Sequence, residues 1–259
     1  MSITPEMAQR WLTQSNDHNR PMSVAHCERL ARDMREGHWK ITHEGIAFSS
    51  NGRLLDGQHR LKAITLAGKA VEMFVWFDVP AEALLTINHG RPRDLVDLLA
   101  LSGAAEDIDG HDIAILRALL AGMGKVPQLT PAEASDAYHR HKDAIEFATV
   151  YLSRRGGVNG VATSDVRAVI ARAYYSADLE RLAAFCQVLS TGLATQPTDR
   201  PAVMLFSHLV RNPGHNDMAR RDRYLRTQRA LAAYLRKEEL GRLLAANYEL
   251  FPLPEEKVG

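Results

Sequence analysis

The sequence predicts an α+β protein in two parts, a small mixed sheet with helices followed by an all-helical domain. Up to about residue 100, segments rich in β-branched and aromatic residues alternate with segments whose apolar residues recur at helical spacing. From about residue 108, every segment with a clear period is helical. We therefore expect a first domain over residues 1–105 and a helical domain over residues 106–259.

The composition is typical of a globular protein without a strong charge bias. Apolar residues make up 46% and charged residues 24%, and 32 Lys+Arg against 31 Asp+Glu give a formal net charge of +1. Contact with nucleic acid would therefore depend on a local basic patch. The first residues lack a signal-peptide pattern, and no apolar run approaches the roughly 18 residues of a membrane span, so we expect a cytoplasmic protein with no membrane partner.

Two helices are expected before the first strand. The first begins at Thr4 and Pro5, because threonine can cap a helix and proline suits its first turn. The second is capped by Ser23, ends at Gly37, and has apolar residues at three- and four-residue spacings.

Strands are expected over residues 46–48, 53–55 and 71–77. The first two flank the turn Asn51-Gly52, and the third is rich in β-branched and aromatic residues. In the second half, helices are expected over 111–122, 131–153, 164–173, 178–190, 201–211 and 219–246.

The segment around Gly57 is predicted to be a strand-to-helix turn that holds phosphate. Glycine permits the tight bend, and the helix that follows presents backbone N–H groups and the positive end of its dipole. His59 and Arg60 lie in the first turn, where they can donate hydrogen bonds to phosphate. Asp56 either caps the helix or holds Mg²⁺ or a ribose hydroxyl. On spacing alone, a plain helix start is the alternative.

The order of elements around this turn resembles the ParB/sulfiredoxin superfamily. The matching features are Asn-Arg-Pro at 19–21, the helix over 23–36, the strand over 46–48, and the run 52–63. Within that run, Gly-Gln-His-Arg at 57–60 stands where ParB proteins have Gly-Glu-Arg-Arg, sulfiredoxins Gly-Cys-His-Arg, and related free-serine kinases Asp-Gly-His-His-Arg. Together with the preceding aspartate, these residues also resemble DndB-type DNA-modification regulators and proteins of phages and bacteria.

This resemblance covers about residues 3–100 and implies a nucleotide site. By the resemblance, the phosphates of ATP or CTP, with Mg²⁺, would contact Arg20, Gly57, Gln58, His59 and Arg60. The implied chemistry is hydrolysis or transfer of phosphate.

Three residues are candidates for catalysis: Glu44, Asp56 and His59. In the serine kinases that the chain resembles, a nearby carboxylate acts as a base, which makes Glu44 the candidate base here. The alternative is a solvated surface glutamate. The sequence predicts no metal site built from protein ligands alone, and Mg²⁺ would be held with Asp56.

Two departures from the resembling families narrow the implied chemistry. Gln58 stands at the position of the sulfiredoxin cysteine, and neither Cys27 nor Cys186 lies in the motif, so sulfinic-acid chemistry is not expected. The Glu-Asn-x-Gln-Arg box that ParB proteins use beside CTP is absent, which argues against a partitioning clamp.

The polar turn over residues 88–93 is a candidate contact for a second substrate or for DNA. It contains His89, Arg91 and Arg93 and could close over the nucleotide or bind another phosphate. The alternative is a loop before a helix with exposed arginines.

Residues 211–237 form a local basic patch in a nearly neutral protein. Arg220 and Arg223 are its candidate DNA contacts, and Tyr224 and Tyr234 lie among the arginines, where they could stack on bases. The alternative is a solvated helix face whose apolar stripe packs on the helical domain.

We therefore expect a protein that binds ATP or CTP, hydrolyses or transfers phosphate, and acts in DNA or nucleotide metabolism of the modification or phage type. One alternative is a DNA-binding regulator without turnover that nucleotide switches, and another is a ParB-like nuclease. The expected partners are a nucleotide, DNA through residues 211–237, and a second copy of the chain in a homodimer.

Overall fold

The computed structural model describes residues 1–16, 19, 21–85, 95–101, 108–153, 158 and 160–254. These residues form mostly helices and a few short strands, so the predicted α+β class is confirmed. The chain divides into two compact units, Met1–Asp94 with Leu129–Ala134 and Leu95–Gln128 with Ser135–Gly259. The predicted domain boundary between residues 105 and 106 lies outside the described residues.

The first two helices begin where the sequence predicts, and the second also ends there. Helix α1 spans Pro5–Ser15, and the Thr4 hydroxyl accepts a hydrogen bond from the backbone of its first turn. Helix α2 spans Val24–Glu36 and is capped by the Ser23 hydroxyl. It ends at Gly37, which adopts a left-handed conformation with φ of 83°.

Among the described residues of the first unit, five short strands form two small sheets. They are β1 Ser2–Ile3, β2 Ile46–Phe48, β3 Leu54–Asp56, β4 Val71–Glu72 and β5 Val75–Trp76. Strands β1 and β4 pair antiparallel, and the other sheet has the order β3-β2-β5. In that sheet β2 runs antiparallel to β3 and parallel to β5, so the sheet is mixed, as predicted.

The strand predicted over residues 71–77 is wrong as a single element. Strands β4 and β5 belong to different sheets, and the chain changes partner at Met73 and Phe74 between them. Met73 donates its backbone N–H to the Met1 carbonyl, whereas the Phe74 carbonyl accepts from Ile46 on β2. A continuous apolar run gives the strand propensity of both halves but does not show that their pairing partners differ.

Helix α3, Gln58–Ala67, packs with α1 and α2 against the three-stranded sheet. The core of the first unit includes Ile46, Phe48 and Leu54 from the sheet and Leu61 and Ile64 from α3. Since successive side chains of a strand point to opposite faces, Ala47 lies on the sheet face away from this core.

Beyond position 94, the α-helices of the described residues are α4 Leu95–Leu101, α5 Gly110–Ala121, α6 Pro131–Tyr151, α7 Ser164–Ala173, α8 Leu179–Thr191, α9 Arg200–Arg211 and α10 Asp217–Leu235. The helix predicted over residues 219–246 is therefore too long. Lys237 adopts a positive φ of 57°, and Glu238 donates its N–H back to the Ala233 carbonyl, which closes α10. Leu240 and Leu243, beyond the end of α10, still pack on the core. Their apolar character therefore reflects burial and not a continued helix.

Two glycines that flank α3 provide a matched test of close packing at its start. Gly57 and Gly68 both have a positive φ, but a Cβ on Gly57 would lie 2.5 Å from Ile46 Cδ1, whereas a Cβ on Gly68 would meet nothing within 4 Å. We expect Gly68→Ala to lower the free energy of unfolding by about 1 kcal/mol through backbone strain. We expect Gly57→Ala to lower it by about 2–4 kcal/mol, because overpacking is added.

The measurement is urea denaturation followed by tryptophan fluorescence. All three tryptophans, Trp11, Trp39 and Trp76, lie in the first unit, so the signal reports the unfolding of that unit. Equal losses of stability in the two variants would contradict the close approach of Gly57 to Ile46.

Candidate functional site

The predicted phosphate turn lies between the end of β3 and the start of α3. Gly57 precedes the helix with a φ of 100° and, having no side chain, provides no side-chain cap. The start of α3 opens on a cleft of about 190 Å³ within the first unit. Its lining residues are His26, Leu30, Glu44, Asp56, Gly57, His59 and Arg60. The structure therefore brings together all three candidate catalytic residues and two more residues of the predicted motif.

The Arg60 guanidinium is held by three groups of the first unit. Its Nε and Nη2 atoms donate to the Gly45 carbonyl at 3.1 and 2.8 Å. Nη2 also donates to Asp56 Oδ2 at 2.8 Å, and Nη1 donates to Glu44 Oε2 at 3.1 Å. Only 15% of the arginine side chain is exposed. Arg60 thus joins the start of β2 to the end of β3, a structural role that its motif position did not predict.

Asp56 organises the turn through both of its carboxylate oxygens. Oδ1 accepts a hydrogen bond of 2.7 Å from the Gly57 backbone, and Oδ2 accepts the one from Arg60. The predicted capping role of Asp56 is wrong, because α3 has no side-chain cap hydrogen bond and the backbone group that Asp56 binds is that of its neighbour Gly57. The Asp56 side chain is 34% exposed and lines the cleft.

His59 connects the starts of α2 and α3. The Ser23 backbone N–H donates to His59 Nε2 at 3.1 Å, which assigns the lone pair of the imidazole to that nitrogen. The His26 ring packs edge-on against the His59 ring, with centroids 5.2 Å apart. These contacts fix the ring of His59 at the wall of the cleft.

The side chain of Gln58 points into the protein rather than into the cleft. Gln58 is 6% exposed, and its Oε1 atom accepts a hydrogen bond of 3.3 Å from Asn16 Nδ2. Asn19 in turn donates to Asn16 Oδ1 and to the Leu54 carbonyl, both at 2.8 Å. Any contact of Gln58 with phosphate is therefore through its backbone. Sequence reasoning named Asn19 only as part of the run 19–21 and missed Asn16 as the partner of Gln58.

Four residues predicted to contact nucleotide, a second substrate or DNA lie outside the described residues: Arg20, His89, Arg91 and Arg93.

Arg223, predicted as a DNA contact, is instead a buried member of an ion pair. It is 4% exposed, and its Nε and Nη2 atoms donate to Asp165 Oδ2 at 3.1 and 2.7 Å. Tyr224 and Tyr234 are each 4% exposed, so they present no ring to a base. This part of the prediction is wrong because the face of α10 that carries these residues packs on the core of the second unit.

Other arginines of the 211–237 patch also have partners within the second unit. Arg226 pairs with Asp222 at 2.8 Å, and Arg229 pairs with Glu238. Four exposed cationic side chains of the patch make no hydrogen bond or ion pair with the part of the chain that the structure describes: Arg211, Arg220, Arg236 and Lys237. Arg220 lines a polar cleft of about 430 Å³ with His111, Ser164 and His215.

Both cysteines are buried and unsuited to thiolate chemistry. Cys27 and Cys186 have no exposed surface, and neither lines the cleft of the first unit. Burial raises the pKa of both thiols, that of Cys186 to about 12. Both thiols therefore remain protonated at neutral pH.

No protein-family model, curated protein or solved structure matches the chain. Among the described residues, no helix is long and apolar enough to span a bilayer. No three His, Cys, Asp or Glu side chains within the described ranges converge as metal ligands.

The contacts of Arg60 predict that it is needed for stability, unlike Glu44. We expect Arg60→Ala to lower the free energy of unfolding of the first unit by about 1–3 kcal/mol, because Asp56 and the Gly45 carbonyl lose their donor. The Glu44 side chain is 62% exposed, so we expect Glu44→Gln to change this free energy by less than about 0.5 kcal/mol.

Arg60→Lys is the matched control, since it retains the charge but not the planar fork. Its stability should fall between those of the wild type and Arg60→Ala in urea denaturation. A stability of Arg60→Ala equal to that of the wild type would contradict the structural role.

Proposed function

We propose that the cleft of the first unit binds the phosphates of a nucleoside triphosphate, ATP or CTP. The proposal rests on one observation: the N-terminus of α3, which follows Gly57, lies at a cleft lined by His59 and Arg60. Backbone donors and the helix dipole favour an anion at such a position. The resemblance to the ParB/sulfiredoxin superfamily, which stays a prediction, favours the same ligand.

The charges of the cleft favour a bound cation together with the nucleotide. Arg60 supplies one positive charge, whereas Glu44 and Asp56 supply two negative charges. A triphosphate placed beside both carboxylates is repelled unless a cation lies between them. Mg²⁺ in nucleotide sites is commonly bound by one or two carboxylates together with substrate phosphates, and Asp56 fits that donor set. When bound, Mg²⁺ neutralises charge that develops on the transferred phosphate.

We further propose that the site hydrolyses the triphosphate or transfers its terminal phosphate. Glu44 is the base, because its exposed carboxylate lies at the wall of the cleft, where it can accept a proton from the attacking hydroxyl or water. Asp56 holds the cation and the turn, and His59 contacts the phosphates. Arg60 fixes the positions of both carboxylates through its hydrogen bonds.

Thermal unfolding with ATP, CTP, GTP and their diphosphates, each with and without Mg²⁺, tests the binding. We expect a triphosphate with Mg²⁺, at one hundred times its Kd, to stabilise the protein by about 2.7 kcal/mol. We expect His59→Ala to reduce this stabilisation. Glu44→Gln should retain it and lose most of the phosphate release, because only the base is removed.

Glu28→Gln is the matched control for Glu44→Gln, since Glu28 is an exposed carboxylate that does not line the cleft. Arg60→Ala is unsuitable as the sole binding probe, because it also weakens the fold. Absence of stabilisation by every nucleotide would contradict the proposal.

A second candidate function is DNA binding by the second unit, with nucleotide as a switch. It is favoured by the four exposed cationic side chains around residues 211–237 and by the polar cleft beside Arg220. Exposed arginine and lysine bind phosphate oxygens without reading the base sequence.

The salt dependence of DNA affinity tests this second function. We expect the double variant Arg211→Ala/Arg220→Ala to bind DNA more weakly, and its slope of log K against log salt to fall by about 0.9 for each lost phosphate contact. Arg117→Ala, an exposed arginine outside the patch, is the control and should leave the slope unchanged. A slope that is the same in all three proteins would contradict a role for the patch.

A further inference from the structure

Three large aromatic side chains are exposed on and beside strand β5. Phe74, Trp76 and Phe77 are 49%, 52% and 59% exposed. The Phe74 and Trp76 rings are nearly parallel, with an interplanar angle of 21° and centroids 5.9 Å apart. Strand β5 is at the edge of its sheet. An apolar pair of rings on an edge strand is an unusual surface for a monomer, which indicates a binding role.

The register of the sheet places Trp76 in line with Asp56. Ala47 on β2 pairs with Trp76 on one side and, beside a register shift of the β2–β3 pair, with Asp56 on the other. Trp76 projects from the same face as Ala47, and Asp56, Ala47 and Trp76 form one row across the sheet. Two strand spacings separate the ends of this row, which is about 10 Å.

Phe74 lies at the same end of the sheet as the phosphate cleft. Its carbonyl accepts a hydrogen bond of 2.9 Å from Ile46, and a Cβ on Gly45 would lie only 2.1 Å from this carbonyl oxygen. The Gly45 carbonyl itself accepts from Arg60. Phe74 is therefore hydrogen-bonded to Ile46, the residue that follows Gly45, and the Gly45 carbonyl binds Arg60.

We infer that Phe74 and Trp76 form the platform on which the base of the bound nucleotide stacks. The inference rests on the proposed function, because it assumes that phosphates bind at the start of α3. Ala47, in the middle of the row, is buried, so the sugar does not cross the sheet there. The sugar instead lies at the end of the sheet, beside the exposed side chain of Glu44. Phosphates at the start of α3 and a base at Phe74 then lie at the two ends of a single nucleotide.

This platform also predicts how the site discriminates between nucleotides with different bases. Stacking on aromatic rings tolerates every base, since each base has a π-face. The protein should therefore bind ATP, CTP and GTP within about tenfold of one another, and each of them more tightly than a phosphate chain without a base.

Calorimetric titration with Mg-ATP and with magnesium tripolyphosphate separates the base from the phosphates. We expect Trp76→Ala and Phe74→Ala to weaken ATP binding about tenfold, equivalent to about 1.4 kcal/mol, and to leave tripolyphosphate binding unchanged. Trp76→Phe keeps a ring and should keep ATP affinity within about twofold. Tyr248→Ala, an exposed aromatic of the second unit, is the control.

The outcomes distinguish this inference from the proposed function. If tripolyphosphate and ATP bind but Trp76→Ala and Phe74→Ala leave both affinities unchanged or weaken them equally, the platform is overturned and the phosphate site stands. If neither ligand binds, the proposed function fails, and the inference that rests on it fails with it. A dimer in sedimentation equilibrium that Trp76→Ala dissociates, without a loss of ATP affinity, would overturn the inference and assign the rings to an interface between copies.

Discussion

The Arg60 guanidinium is the interaction on which the candidate site depends. It joins the Glu44 carboxylate and the Gly45 carbonyl, just before β2, to the Asp56 carboxylate at the end of β3. A planar fork with several donors can make these bonds at once, whereas a lysine ammonium cannot match their geometry. The turn at Gly57 keeps its shape because this cation draws the starts of β2 and α3 together.

The same interaction constrains what the cleft can bind. Arg60 is committed to two carboxylates, so an incoming phosphate meets a site whose formal charge is negative when the histidines are neutral. In the proposed function, Mg²⁺ would resolve this conflict by binding a carboxylate and phosphates together. Arg60, which the motif alone presents as a phosphate ligand, binds groups of the protein itself and fixes the positions of Asp56 and Glu44. Substitution of Arg60 is therefore expected to change both stability and ligand binding, whereas substitution of the exposed Glu44 is expected to leave stability unchanged.

The basic patch over residues 211–237 shows what a count of charges can and cannot predict. The sequence placed eight cationic residues between positions 211 and 237, and the count was correct. It did not show that Arg223 pairs with Asp165, a residue 58 positions away in sequence. Burial of an arginine is favourable only with a partner, and such partners are brought together by packing rather than by sequence order. The same limit applies to the tyrosines of α10, whose rings face the core.

The sequence by itself determined the local structure: the capped starts of α1 and α2, the left-handed glycine ends, and the bend at Gly57. These features follow from the dihedral preferences and hydrogen-bonding groups of a few neighbouring residues. Only the tertiary structure decided that the 71–77 run divides between two sheets, that α10 ends at Leu235, and which cations are buried. Each of these depends on partners far away in sequence, which no local pattern encodes.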